Sequence, residues 1–222
     1  MNPHLMIILV GLCYVVLFGG MSLLRREGLS NQFAFEVLGI TALVVVIALL
    51  MGTTVHPVLF LIVVYLISMR ARLLVDVANL LSGRGRQRDA ITVLQWAMNL
   101  NPDRSTKLII LVNMGIVQLR RQNPESAQAL FESVLEEAKD GGLGIKYEAA
   151  CRFNLGLALK RQGKEAEAVH QFNETIGTFP GSLYSKAAER ELEQRRRIKE
   201  TKPVEPPDGP EISDLERSAR NH

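Results

Sequence analysis

A stretch of 34 residues, 149–182 (AACRFNLGLALKRQGKEAEAVHQFNETIGTFPGS), constrains the fold more than any other part of this chain. Apolar residues recur in it at helical spacing twice over, as Leu155 and Leu159 and again as Phe172 and Ile176. Gly163 falls between the two runs and Pro180 follows the second, both ordinary helix stops. The stretch therefore predicts a helix, a short turn and a second helix. Gly156 and Ala168 are the small residues that let two such helices cross closely. One helical hairpin cannot bury its own apolar side, so others are expected to stack against it.

Numbered from Ala149, Leu155, Gly156, Leu159, Ala168, Phe172 and Pro180 take the seventh, eighth, eleventh, twentieth, twenty-fourth and thirty-second places. This pattern resembles the tetratricopeptide repeat. Arg152 and Thr175 depart from it, at places where that family often has Trp and Ala. A frame from Leu108 puts Leu111, Met114, Gly115, Ala127, Phe131 and Val134 at matching places. Its eleventh place is Gln118, and Leu119 beside it is positioned to turn inward in compensation. A frame from Ala71 supplies Leu74, Val77, Ala78, Leu81, Gly85, Ala90, Leu94 and Ala97, with Pro102 at the thirty-second place. The starts lie 37 and 41 residues apart, so the linking turns are longer than in an ideal array, the second around 140–144. The resemblance implies an all-α solenoid of about three repeats, near 71–104, 108–141 and 149–182. It assigns helix-to-helix packing to Ala78, Ala90, Gly115, Ala127, Phe131, Gly156, Ala168, Phe172 and Pro180.

The chain before the repeats has a different chemistry. Residues 5–24 hold 20 positions without a charge, enough to cross a hydrocarbon core of about 30 Å. No Lys or Arg precedes the run, no small-residue cleavage site follows it, and Arg25 and Arg26 flank its end, which favours an anchor over a cleaved signal. Residues 33–51 form a second such run, with Glu36 near its start. A third, 55–69, is short for a span, so 33–69 is either two spans or a re-entrant hairpin. Three spans within a membrane domain of residues 1–70 are the expectation. Thr53 or Thr54 is placed to cap the third helix and Pro57 to sit in its first turn. No Gly or Pro separates the third run from the first repeat, which predicts one helix over about 57–81. Arg70, Arg72, Arg84, Arg86 and Arg88 follow the third run, whereas the turn at 52–57 has no Lys or Arg. The positive-inside rule then puts the N-terminus outside and the repeats in the cytoplasm. The expected setting is an integral protein of a bacterial plasma membrane.

Residues 183–199 read as a capping helix with a weak apolar stripe of Leu183, Ala187 and Leu192. From 200 to 222 the composition turns to Pro and acid, which predicts a disordered tail after a repeat domain of 71–199. Basic residues are mixed with acidic ones and no aromatic platform interleaves with them, which argues against nucleic acid. The run Arg195, Arg196 and Arg197 reads as a solvated helix end, with contact to anionic lipid as the alternative. Cys13 and Cys151 make no disulfide framework, as in a reducing compartment. His4, His56, His170 and His222 form no metal-spaced pair, and neither a phosphate loop nor a hydrolase elbow occurs. The chain is therefore expected to be no enzyme and to need no cofactor, metal or small-molecule substrate.

In the repeat family the first helix of each pair lines a concave groove that holds a segment of a partner protein. Its lining places fall here on Arg72, Val75, Asn79 and Ser82, then Ile109, Val112, Ile116 and Leu119, then Ala150, Phe153, Leu157 and Lys160. The resemblance thus implies a largely apolar groove with Arg120, Lys160 and Arg161 along one rim. Relatives that grip a C-terminal carboxylate carry basic residues where this chain has Ala150 and Asn154, so that specificity does not carry over. Such a groove either receives a partner's apolar segment or is covered by the 183–199 helix. The expected partners are another protein and the lipid bilayer. The expected role is a membrane-tethered interaction scaffold or assembly factor. The alternative is an accessory or regulatory subunit of a membrane transport or signalling complex, whose transmembrane part makes the main contacts.

Overall fold

The structure, a computed structural model, describes residues 3–24 and 31–201. Among them every regular element is helical. The order is α1 (Pro3–Leu24), α2 (Asn31–Met51), α3 (Pro57–Ser68), α4 (Arg70–Gly83), α5 (Gln87–Asn99), α6 (Arg104–Arg120), α7 (Pro124–Glu137), α8 (Ile145–Arg161), α9 (Glu165–Thr178) and α10 (Leu183–Thr201). A single 3-10 turn, Ala138–Asp140, follows α7. Glu200 and Thr201 continue α10 in place of opening the expected tail. Residues 202–222, and Arg25 and Arg26, lie outside the described residues.

Helices α1, α2 and α3 pack on one another around a small core of Ile7, Tyr14, Val37, Phe60 and Val64. Gly11 permits the approach of α2, because a Cβ there would stand 2.6 Å from Thr41 Oγ1. The Tyr14 hydroxyl meets Ser68 Oγ at 2.8 Å and ties α1 to the end of α3. The outward faces carry exposed apolar side chains, Phe35, Leu50 and Leu59 among them. By length and composition Phe33–Met51 is apolar and long enough to cross a membrane. Neither Thr53 nor Thr54 caps α3. His56 is the N-cap, with no side-chain bond, and Pro57 sits in the first turn.

The continuous helix expected over 57–81 is broken. At Met69 (φ −98°, ψ 6°) the chain turns, and α3 and α4 meet at 66°. The reason is tertiary. Arg70 forms a two-point ion pair with Glu36 of α2, at 2.9 and 3.1 Å, and also donates to the carbonyls of Ile67 and Leu100. The break also marks a change of pattern, from a helix apolar all round to one with a single apolar side, so the direction that must be buried changes there.

Three helical hairpins then stack in sequence: α4 with α5, α6 with α7, α8 with α9. The turn inside each has one residue in the left-handed region, Gly85 (φ 81°), Gln122 (φ 62°) and Gly163 (φ 77°). Each is followed by the same closing bond: Arg86 N–H to Leu81, Asn123 N–H to Gln118 and Lys164 N–H to Leu159, all at 3.0 Å. Inside the hairpins, absent side chains make room for rings. A Cβ on Gly115 would lie 2.5 Å from the Phe131 ring, and one on Gly156 would lie 2.6 Å from that of Phe172. The first hairpin has Ala78 in place of glycine and the smaller Leu94 in place of phenylalanine, both buried. Ala90, Ala127 and Ala168 are also buried, whereas Pro180 is exposed just after α9.

The linking turns between hairpins absorb the added residues. The first holds Asn101 (φ 50°) and Pro102, and the second holds the 3-10 turn with Gly141 (φ 88°) and Gly142 (φ 93°). Helix α10 packs on α9 and α8 as α6 packs on α5 and α4, so it stands where the first helix of a fourth hairpin would. Its inward stripe is Ser185, Ala188 and Leu192, and Leu183 and Ala187 lie outside the deepest contacts. Counted 34 residues on from the frame at Ala149, Arg190 falls at the place of Gly156, and it is exposed.

Candidate partner-binding groove

First helices touch in succession, α4 to α6, α6 to α8 and α8 to α10. The second helices α5, α7 and α9 pack against first helices rather than forming a layer of their own. A row tight on one side and open on the other curves toward its tight side, so the first helices line the inner surface. Polar links stitch that surface together. Arg72 Nε donates to Thr106 Oγ1 at 3.3 Å, Arg120 to Ser82 Oγ at 2.7 Å, and Arg161 to the Leu119 carbonyl.

This close succession corrects the expected apolar trough. Ile109, Val112 and Leu119 are only 3%, 1% and 4% exposed, interior residues between neighbouring first helices rather than lining. Leu119 goes inward beside Gln118, whose Oε1 is buried without a hydrogen-bond partner. Ile116, Phe153 and Leu157 are half-buried and packed against the core. The Phe153 ring lies 5.9 Å from that of Phe172 and 6.0 Å from that of Tyr184 on α10. Arg120, Lys160 and Arg161 are exposed, as rim residues should be, but each is committed: Lys160 pairs with Glu191 of α10 at 2.6 Å, and the two arginines make the stitches above.

The inner side is instead marked by amides. Asn79 is exposed on α4. Asn113 on α6 and Asn154 on α8 each donate Nδ2 to the carbonyl four residues back, at 2.7 Å. That bond fixes each side chain; Asn113, 7% exposed, belongs to the interior, whereas half-buried Asn154 can offer its carbonyl oxygen to a bound segment. Sequence reasoning weighed Asn154 only as a place without a basic residue, and its amide was the available signal.

Burial governs the ionisable groups near this surface. It raises the Tyr184 hydroxyl above the ordinary range, and it strongly raises the Cys151 thiol, which points to the Phe131 carbonyl at 3.5 Å. Both groups are neutral and structural near pH 7. On the outer side, the gap between α7 and α9 forms an open groove of about 640 Å³ floored by Leu155 and Leu159. Glu132, Glu136, Glu167 and His170 line its walls. Among the described residues no group of three or more His, Cys, Asp or Glu is arranged to hold a metal ion.

Residues 104–179, from α6 to α9, match the tetratricopeptide repeat family. A comparison with curated proteins finds no match to the chain. Such repeats generally bind other proteins, and the match suggests a role in protein–protein interaction.

Proposed function

Starting from an array of tetratricopeptide-type hairpins, we propose that this protein is a non-catalytic, membrane-tethered interaction scaffold or assembly factor. The array presents the inner side of its first helices to a partner segment at the cytoplasmic face. The observation that supports tethering is the inverted build of α1–α3, a small packed centre with large apolar residues outward on every helix. In water such a surface would aggregate, whereas in a bilayer it is solvated. Asn79 and Asn154, with Ile116 and Leu157, support the inner side as the working surface. They offer amide acceptors for backbone N–H groups, with apolar contacts beside them.

A photo-crosslinking residue placed at Asn79 in intact membranes tests this reading. It is expected to give one discrete protein adduct that is lost when Asn154 and Leu157 are both changed to Ala. The same residue at Ser133, exposed on the second-helix side, is expected to give none. Equal adducts from both positions, or an adduct indifferent to those two changes, would show that the inner side is not the binding surface.

A further inference from the structure

The first hairpin has a face that its sister hairpins bury. At the seventh and tenth places, α6 has Met114 and Val117, and α8 has Leu155 and Ala158. Val117, Leu155 and Ala158 are buried and Met114 is half-buried, because α6 packs against α5 and α8 against α7. The corresponding residues of α4 are Val77 and Leu80, and they are 45% and 55% exposed. No hairpin precedes α4. What precedes it is α3, one residue away.

That junction sets the geometry. Helix α4 has 14 residues and is therefore about 21 Å long. Inclined at 66° to α3, its far end rises only about 9 Å above the plane to which α3 is perpendicular. The hairpin tip carries Arg84, Arg86 and Arg88, all exposed. At that height they stand within roughly one Debye length, about 8 to 10 Å, of the plane. On α5 the indole of Trp96 is also exposed, and indoles settle at the headgroup level of bilayers.

We propose that the first hairpin lies on an anionic bilayer surface, with Val77 and Leu80 set among the headgroups and Arg84, Arg86 and Arg88 against lipid phosphates. The inference rests on the membrane-tethered reading above. The bilayer then takes the place of the missing preceding hairpin. The two anchorages together hold the array at a set angle, with its inner side at a fixed height above the membrane.

The whole chain, one copy per lipid nanodisc, supports the test. Cys13→Ala removes the exposed thiol, and Leu80→Cys carries an environment-sensitive fluorescent label, while buried Cys151 stays unreacted. In discs containing phosphatidylglycerol the label is expected to emit to the blue and to lose most of its emission to lipids spin-labelled near the headgroup. A label at Glu136→Cys on α7 is expected to be unaffected. Changing the three arginines to Gln, or using phosphatidylcholine alone, should reduce the quenching at least twofold.

The proposal is overturned by a Leu80 label that behaves like the Glu136 label. It is equally overturned by a label that is shielded yet not quenched by lipid, since with one copy per disc that means cover by this chain itself. Quenching indifferent to lipid charge and to the arginines would refute the anionic surface. A chain that fails to enter the discs fails at an earlier step and refutes the tethering itself.

Discussion

Gln122 occupies a backbone conformation that its two counterparts, Gly85 and Gly163, adopt without a side chain. A left-handed residue with a Cβ costs about 1–2 kcal/mol relative to the right-handed form. Gln122→Gly is therefore expected to raise the stability of the array by about 0.5–1 kcal/mol, read as a higher urea midpoint with an unchanged slope. A lowered midpoint would show that the glutamine makes a compensating contact. Gly156 is the opposite case. Gly156→Ala would put a Cβ 2.6 Å from the Phe172 ring, and the overpacking should cost about 1–3 kcal/mol. The first hairpin manages an alanine by pairing it with Leu94, so Phe172→Leu added to Gly156→Ala should recover part of the loss. If the double variant is no more stable than the two losses summed, the pair does not act together. Gly156 was legible from the helical spacing, and Ala78 followed from the resemblance to the repeat. Two departures were not legible. Thr175 is fully buried in place of alanine because its hydroxyl turns back to the Gln171 carbonyl at 2.8 Å. Arg152, in place of an aromatic, is held by Glu148 at 3.0 Å and Glu174 at 3.5 Å. Ile109 and Val112 were misplaced in the reading for a different reason. Apolar character at a lining place does not say whether the next first helix sits on top of it.

At the level of elements, helix existence followed from periodicity and stops, but the break at Met69 did not. No Gly or Pro marks it, and the ion pair that braces it, Arg70 to Glu36, spans 34 residues in sequence. The guanidinium of Arg70 is held charged first by its hydrogen bonds to that carboxylate, with burial opposing. The pair is about one-third exposed on each side, at 31% and 30%, so solvent screening limits what it contributes. An upper value of about 1 kcal/mol corresponds to roughly a fivefold change in local opening. Glu36→Gln should accordingly speed amide exchange around the Leu73 N–H, which closes the break onto the Met69 carbonyl at 2.9 Å, by up to about that factor. Exchange in α8 should not change. An unaltered Leu73 amide would mean that Tyr14, Ser68 and the Leu100 carbonyl hold the junction without the ion pair.

The whole molecule joins an apolar bundle to a soluble-type array, and its proposed orientation rests on where the arginines fall. Arg70, Arg72, Arg84, Arg86 and Arg88 all follow α3, whereas the turn between α2 and α3 has none. In the structure that turn, with Gly52 at φ 62°, leaves Thr53 and Thr54 exposed, and it is separated from the Glu36–Arg70 junction by the length of α2. If α2 and α3 both cross, the turn faces outside and the array faces the cytoplasm. If the pair is re-entrant, the turn stays inside the bilayer. The lengths give each reading something: α2 has 21 residues, ample for a crossing, and α3 has 12, which needs a thinned bilayer or snorkelling arginines. Single cysteines in a chain lacking Cys13 and Cys151 separate these arrangements with a membrane-impermeant reagent on intact cells. Three crossings predict that Thr54→Cys is labelled and that Ser213→Cys in the tail is labelled only after lysis. A re-entrant pair predicts labelling of neither in intact cells, with Thr54→Cys still shielded after lysis in the absence of detergent. Labelling of Ser213→Cys from outside would reverse the orientation, and the proposed partner would then have to be sought on the other side of the membrane.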